Sequence, residues 1–229
     1  MKLLDKRYTQ HPYEGSRRLS KWLCKQGYEV GRVKTATLMK KMGIEAIYPK
    51  PSTSAPNKAH PIYPYLLRDK AIESPNVVWC ADITYIPLRR GWAYLVAIMD
   101  WYSRYVIAWE VSDTLESEFC VRALKQSLKY GCCEIFNTDQ GAQFTAEMWI
   151  SVLAENHISI SMDGRGRYLD NIFVERLWRS VKYECIYLQE FSTSEEVRLA
   201  LKKYFRYYNH ERMHQALEYL TPYEIHSRN

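Results

Sequence analysis

The chain of 229 residues has no C-x-x-C pair. Its six cysteines (Cys24, Cys80, Cys120, Cys132, Cys133, Cys185) are scattered, and adjacent Cys132 and Cys133 lack the spacing of a zinc knuckle. His210 and His214 stand i,i+4, but no cysteine lies near enough to complete a metal site with them. Reduced structural thiols are therefore expected. No apolar run approaches the roughly 20 residues that span a bilayer. Tyr94 to Met99 is only strand-length and is closed by Asp100. The start, Met1-Lys2-Leu3-Leu4-Asp5-Lys6, lacks the long apolar region of a signal peptide. A cytoplasmic protein with no membrane partner is expected. Low-complexity tracts are absent too, and 47% of the residues are hydrophobic, as a globular chain requires.

Acidic residues are scarce at the front. Residues 1–72 hold fifteen Lys/Arg against five Asp/Glu, whereas residues 73–229 hold seventeen against twenty-one. The net charge of +6 thus conceals a basic module joined to a mildly acidic one. Scattered solvating charges explain such an imbalance poorly, and nucleic acid is the expected partner.

Two helical patterns occupy the first fifty residues. In Gly15–Gly27, Leu19, Trp22 and Leu23 recur at helical spacing, with Arg17, Arg18, Lys21 and Lys25 largely on other faces. In Arg32–Met42, Val33, Leu38, Met39 and Met42 are expected to face a core and Lys34, Lys40 and Lys41 solvent. Two short helices around a glycine-containing turn are compatible with a helix-turn-helix. Six of the nine prolines (Pro49, Pro51, Pro56, Pro61, Pro64, Pro75) then mark a basic linker over residues 49–75, which can continue neither a helix nor a central strand. The remaining segment, 76–229, reads as one α/β domain behind a helical domain at 1–48. Strands are expected at Val77–Pro87, Trp92–Trp101, Tyr105–Ser112, Glu134–Thr138 and Ile158–Met162. Helices are expected at Leu115–Tyr130, Thr145–His157, Leu169–Tyr187 and Thr193–Glu211.

Three carboxylates carry the chemistry this order permits. Asp82 lies in a strand with its side chain opposed to those of Ala81 and Ile83, Asp139 ends a strand, and Glu175 lies in a helix. Each has a plain alternative: pairing with Arg104 or an exposed sheet face for Asp82, turn chemistry before Gly141 for Asp139, and solvation or pairing with Arg179 for Glu175. Taken together they can hold two divalent ions for phosphoryl transfer, because Mg²⁺ needs only a few oxygen ligands beside substrate phosphate. Lys182, seven residues after Glu175, returns to the same helical face and can grip a DNA phosphate. Asp170, with Asn171, reads as a helix cap first and a metal ligand second.

These residues resemble the OrfB-type transposases of bacterial insertion sequences of the IS-three family, whose core is shared with retroviral integrases. The likeness runs over nearly the whole chain: His11 to Arg18, the Pro49–Arg68 linker, Trp79 to Tyr85, Ala97 to Arg104, Asn137 to Phe144, Ser161 to Glu175, and the tail Tyr208 to Leu217 with Thr221-Pro222. It implies an RNase H-like mixed five-stranded sheet flanked by helices, preceded by a small helix-turn-helix-like domain. It also implies that Asp82, Asp139 and Glu175 bind two Mg²⁺ (Mn²⁺ substituting) and catalyse strand cleavage and strand transfer at insertion-sequence ends. DNA contacts are then expected at Lys182, Arg17, Arg18, Lys34, Arg165, Arg167, Arg179, Arg212 and His214. The implied partners are double-stranded end and target DNA, further copies of the chain, and the product of an upstream reading frame, in a nucleoid-associated bacterial setting. A nuclease of the same fold and a DNA-binding regulator or truncated remnant are the alternatives.

Overall fold

The computed structural model describes residues 1–47, 62–164 and 172–228. The chain divides into two compact units, Met1–Asn57 and Lys58–Asn229. The first holds three helices, α1 (Lys2–Gln10), α2 (Ser16–Lys25) and α3 (Arg32–Lys41). Their core is small: Leu4, Leu19, Leu23 and Met39, with Trp22, Leu38 and Met42 packed around it. The first helix was not expected from sequence, yet its Leu4 is among the most deeply buried residues. Val33 corrects the sequence reading, since it is 81% exposed instead of facing the core. Thr35 takes the inward position and satisfies its hydroxyl by donating to the Gly31 carbonyl at 3.0 Å.

The second unit is built on a five-stranded sheet of β1 (Val78–Pro87), β2 (Trp92–Asp100), β3 (Val106–Ser112), β4 (Ile135–Thr138) and β5 (Ser159–Met162), in the order β3-β2-β1-β4-β5. The first three form the expected antiparallel meander, while β4 runs parallel to β1 and β5 parallel to β4. Helices cover both faces. On one lie α4 (Ser117–Ser127) and α5 (Glu147–Glu155), over Trp79, Ala81, Val96, Ile98 and Phe136. On the other lie α6 (Ile172–Glu184) and α7 (Ser194–His210), over Cys80, Ile86, Leu95, Ala97 and Met99. Strand β2 is buried from both sides, which is why its sequence is a continuous apolar run with no polar alternation. A short helix α8 (Pro222–His226) ends the fold, started by a capping box between Thr221 and Glu224.

The turn from β2 to β3 is held by a fully buried carboxylate. Asp100 accepts from Asn76 N, Ser103 N and Ser103 Oγ at 2.7, 2.7 and 2.6 Å, and these donors offset its loss of water. Arg104 follows with φ of 64° and lays its guanidinium over the Phe173 ring at 3.1 Å from the centroid. It is therefore occupied on α6 and makes no hydrogen bond to Asp82.

Candidate active site

Strand parity sets the first carboxylate. Trp79 and Ala81 of β1 face α4 and α5, so Cys80 and Asp82 face α6. The parallel register pairs Cys80 with Asn137, and Asp82 and Asp139 each lie two residues beyond that pair. Equal offsets on adjacent parallel strands bring the two aspartates to the same end of the sheet. Glu175 enters from above, in the first turn of α6, the helix that packs on β1.

Each aspartate is held by named donors. Asp82 Oδ1 accepts from Ile83 N at 2.8 Å, and Oδ2 accepts from the indole Nε1 of Trp178 at 2.9 Å. Burial is the main reason that its carboxyl is pushed up to about 6; those two hydrogen bonds oppose the shift, and the charges of Asp139 and Glu175 add to it. Asp139 Oδ1 accepts from Gly141 N at 2.9 Å, so the turn chemistry is present as well as the carboxylate. Asp139 is exposed as a residue, but protein crowds its carboxyl group, and desolvation raises its pKa against the pull of the Gly141 N–H. A Cβ at Gly141 would come within 2.8 Å of Asp139 Oδ1, so only glycine leaves that carboxylate in place. Glu175 is exposed and, among the described residues, has no ion pair with Arg179 or any other cation.

Behind the aspartates lies a polar layer that sequence reasoning missed. Asn137 Nδ2 donates to Asp163 Oδ1 at 2.8 Å, Gln140 Nε2 donates to the Asp163 carbonyl at 2.9 Å, and Asp163 N donates to the Thr138 carbonyl. This network ties the β4 end to the β5 end and fixes the backbone that presents Asp139. Trp178 was also missed. Its signal is visible in retrospect: three residues after Glu175 it shares that helix face, and a buried indole N–H demands an acceptor.

The donor set suits Mg²⁺, being hard carboxylate oxygen with two members already oriented by hydrogen bonds. Among the described residues, however, no three His, Cys, Asp or Glu side chains are already closed around a metal-sized site. The charges of Asp139 and Glu175 both reach Asp82, and Glu175 is exposed to solvent.

Of the expected DNA contacts, Arg17, Arg18, Lys34 and Arg179 are exposed and Lys182 is half-buried. Arg165, Arg167 and Asp170 lie outside the described residues. Arg212 and His214 are half-buried and make contacts within the chain. Arg212 forks onto Glu184 with Nε–Oε2 and Nη2–Oε1 distances of 2.8 and 2.7 Å. His214, with Nε2 3.3 Å from Arg212 Nη1, packs edge-on to Tyr208. Burial and the neighbouring Arg212 lower its pKa to about 4. Both side chains thus join α6, α7 and the tail at a partly exposed corner.

Comparison with known proteins agrees with this architecture. Family models described as "Integrase core domain" match residues 73–167 and 156–222, and an "HTH-like domain" model matches residues 1–52. "Transposase InsF for insertion sequence IS3A" from Escherichia coli (strain K12) is 30% identical over 222 residues, covering 94% of this chain and 77% of that protein. The "Insertion element IS600 uncharacterized 31 kDa protein" of Shigella sonnei is 28% identical over 221 residues, 93% of this chain and 81% of that protein. Among solved structures, a chain of the simian T-cell lymphotropic virus intasome in complex with PP2A regulatory subunit B56 gamma superposes with a TM-score of 0.61. It has 18% identity and covers 76% of this chain and 61% of that one. The HTLV-2 integrase catalytic core domain in complex with magnesium gives 0.51 at 20% identity, over 68% of this chain and 98% of that one.

The architecture is thus an RNase H-like integrase core behind a helix-turn-helix-like domain. The chain belongs to the insertion-sequence transposases of the IS-three family, proteins of DNA transposition.

Proposed function

We propose that this chain is the strand-cleaving and strand-joining enzyme of its insertion sequence, with Asp82, Asp139 and Glu175 as the catalytic carboxylates. The observation that carries the reading is an uncompensated cluster. Three acidic side chains share one end of the sheet, Asp82 is pushed up to about 6 by burial and by the other two, and no described cation pairs with any of them. Such a cluster costs stability unless cations enter it. Two Mg²⁺ ions held there would stabilise the attacking and leaving oxygens of an in-line displacement at phosphorus.

The protein's own part is positional. Ile83 N and Trp178 fix the Asp82 carboxylate, Gly141 N fixes that of Asp139, and the first turn of α6 brings in Glu175. In the first step water attacks a phosphodiester at the element end; the P–O3′ bond breaks and the freed 3′-oxygen takes a proton. In the second that 3′-OH gives up its proton as its oxygen forms the new bond to a target phosphorus; the target P–O3′ bond breaks, and the displaced 3′-oxygen takes a proton. Neither step passes through a covalent bond to the protein, so no serine or tyrosine nucleophile is required.

Lys182 and Arg179 on α6, with Arg165 and Arg167, are assigned to the DNA at this site, and Arg17, Arg18 and Lys34 to the helix-turn-helix-like domain at 1–48. Residues 49–75 serve as linker and 76–229 as core. Bringing two ends together calls for more than one copy. The test is incubation with labelled insertion-end duplex and Mg²⁺, comparing wild type with Glu175→Gln. Joined strands that vanish in the variant support the assignment. Cleavage without joining would replace it with a nuclease, and binding without chemistry in Mg²⁺ or Mn²⁺ with a regulator.

A further inference from the structure

Helix α3 has its apolar and polar residues exchanged. A helix folding for burial alone would turn Val33 inward and Thr35 outward. The reverse is found: Val33 is 81% exposed and Thr35 fully buried, its hydroxyl satisfied on Gly31. A local rule broken on an otherwise regular element points to a task other than stability. Val33, Thr37 and Lys40 fall at i, i+4 and i+7, one stripe on the side away from buried Thr35 and Met39. Arg32, Lys34 and Lys41 are exposed beside it, so the face that presents Val33 is strongly basic.

The chemistry of that stripe limits what it can read. The sequence RVKTATLMKK contains no Asn, Gln, Asp or Glu, the side chains that read adenine or cytosine by hydrogen bonds. The Thr37 hydroxyl already donates to the Val33 carbonyl at 3.1 Å. Lysine and arginine serve phosphates or guanine. Apart from those guanine contacts and an accepting Thr37 hydroxyl, the groups left to contact a base edge are methyls, and in the major groove the only methyl partner is C5 of thymine.

On the reading that this chain acts on DNA, we infer that Val33, with Thr37 beside it, is its thymine-reading residue, selecting A·T pairs in the major groove through the C5-methyl. Lys34, Lys40 and Lys41 hold the helix to the backbone without regard to sequence.

The test uses the full chain. Duplexes with a randomised centre are selected for binding, and the selected duplex is resynthesised with deoxyuridine for thymine, one position at a time. Wild type should lose roughly three- to fivefold in affinity at the contacted thymine, the order expected for one buried methyl. Val33→Ala, safe for folding because the side chain is exposed, should bind the thymine and uracil duplexes alike. Lys40→Gln should weaken all duplexes equally. The inference is overturned if wild type shows no thymine–uracil gap, or if Val33→Ala keeps the same gap. Should the chain still join strands in Mg²⁺ in either of those cases, the transposase reading stands without it. Failure both to bind any duplex and to join strands would remove the two together.

Discussion

The indole N–H of Trp178 donates to Asp82 Oδ2 at 2.9 Å, so a residue of α6 holds the carboxylate of β1. One hydrogen bond thus links the helix that carries Glu175 to the strand that carries Asp82. Outer partners of metal-ligating carboxylates commonly govern affinity by 10–100-fold. Trp178→Phe, which keeps most of the buried ring and removes the donor, should raise the Mg²⁺ concentration needed for half-maximal strand joining by about tenfold. A metal titration of the two proteins measures this; an unchanged midpoint would mean that the bond has no part in placing Asp82.

Asp139 is costly to crowd as an anion. Desolvation raises its pKa, so its protonated form favours the folded state: that contribution is full below the unfolded carboxylate value and lost as pH rises through the folded one. At pH 7 the metal-free protein carries the penalty. Asp139→Asn keeps the acceptor for Gly141 N and removes the charge. In EDTA at pH 7 the variant should melt about 1–4 °C above wild type, with the gap closing near pH 4, while strand joining is lost. Calorimetric scans at both pH values decide it, and a variant less stable at pH 7 would contradict the account.

Legibility followed the strength of each physical signal. The five strands were readable because β2 is a continuous apolar run and β1 is rich in β-branched and aromatic residues, and strand parity puts Asp82 on the side opposite Ala81 and Ile83. Helix α1 was not readable, because Lys2–Gln10 buries only Leu4 and its other anchors, the Arg7–Glu14 fork and the Tyr8 hydroxyl on the Glu45 carbonyl, are tertiary contacts. Val33 misled for the reason that makes it informative: hydrophobic periodicity assumes that valine is used for burial. The intrachain partners of Arg212 and His214, expected DNA contacts, are not legible because sequence spacing cannot show that Glu184, 28 residues earlier, is aimed at Arg212. Asn137 and Asp163 have roles defined only by three-dimensional neighbours, whereas Trp178 carries a sequence signal in its place three residues after Glu175.

The Glu184–Arg212–His214 corner sets a pH response of opposite sign. His214 is lowered to about 4, mainly by burial, so its stabilising contribution is present above the unfolded value of 6.5 and lost as pH falls from there through 4. Glu184 is lowered as well, first by the Arg212 hydrogen bond, and its contribution declines below 4.5. This corner should therefore lose stability between pH 6.5 and 4, against the opposite trend of Asp82 and Asp139, so His214→Gln should gain relative to wild type as pH falls. After screening for partial exposure, the difference is on the order of 1 kcal/mol. Denaturant midpoints for both proteins across that range measure it; parallel curves would show that His214 titrates normally in the fold.

Gly141 separates a positioning effect from a stability effect. Its backbone is not in the left-handed region, so alanine is conformationally acceptable there, and the obstacle is local: the new Cβ would sit 2.8 Å from Asp139 Oδ1 and 3.5 Å from its Cγ and Oδ2. A contact that short forces the carboxylate to move. The loop is partly open to solvent, so the fold can yield at small cost. Gly141→Ala should therefore melt within a few degrees of wild type, yet lose about 10- to 100-fold in strand joining, the range typical when a metal ligand's surroundings are disturbed. Because the carboxylate is displaced and not removed, raising Mg²⁺ or supplying Mn²⁺ should recover part of the Gly141→Ala activity and none of the Asp139→Asn activity. Strand-joining rates for both variants across a metal series test this. Equal failure to recover would mean that the alanine acts through the loop's fold and not through the position of Asp139.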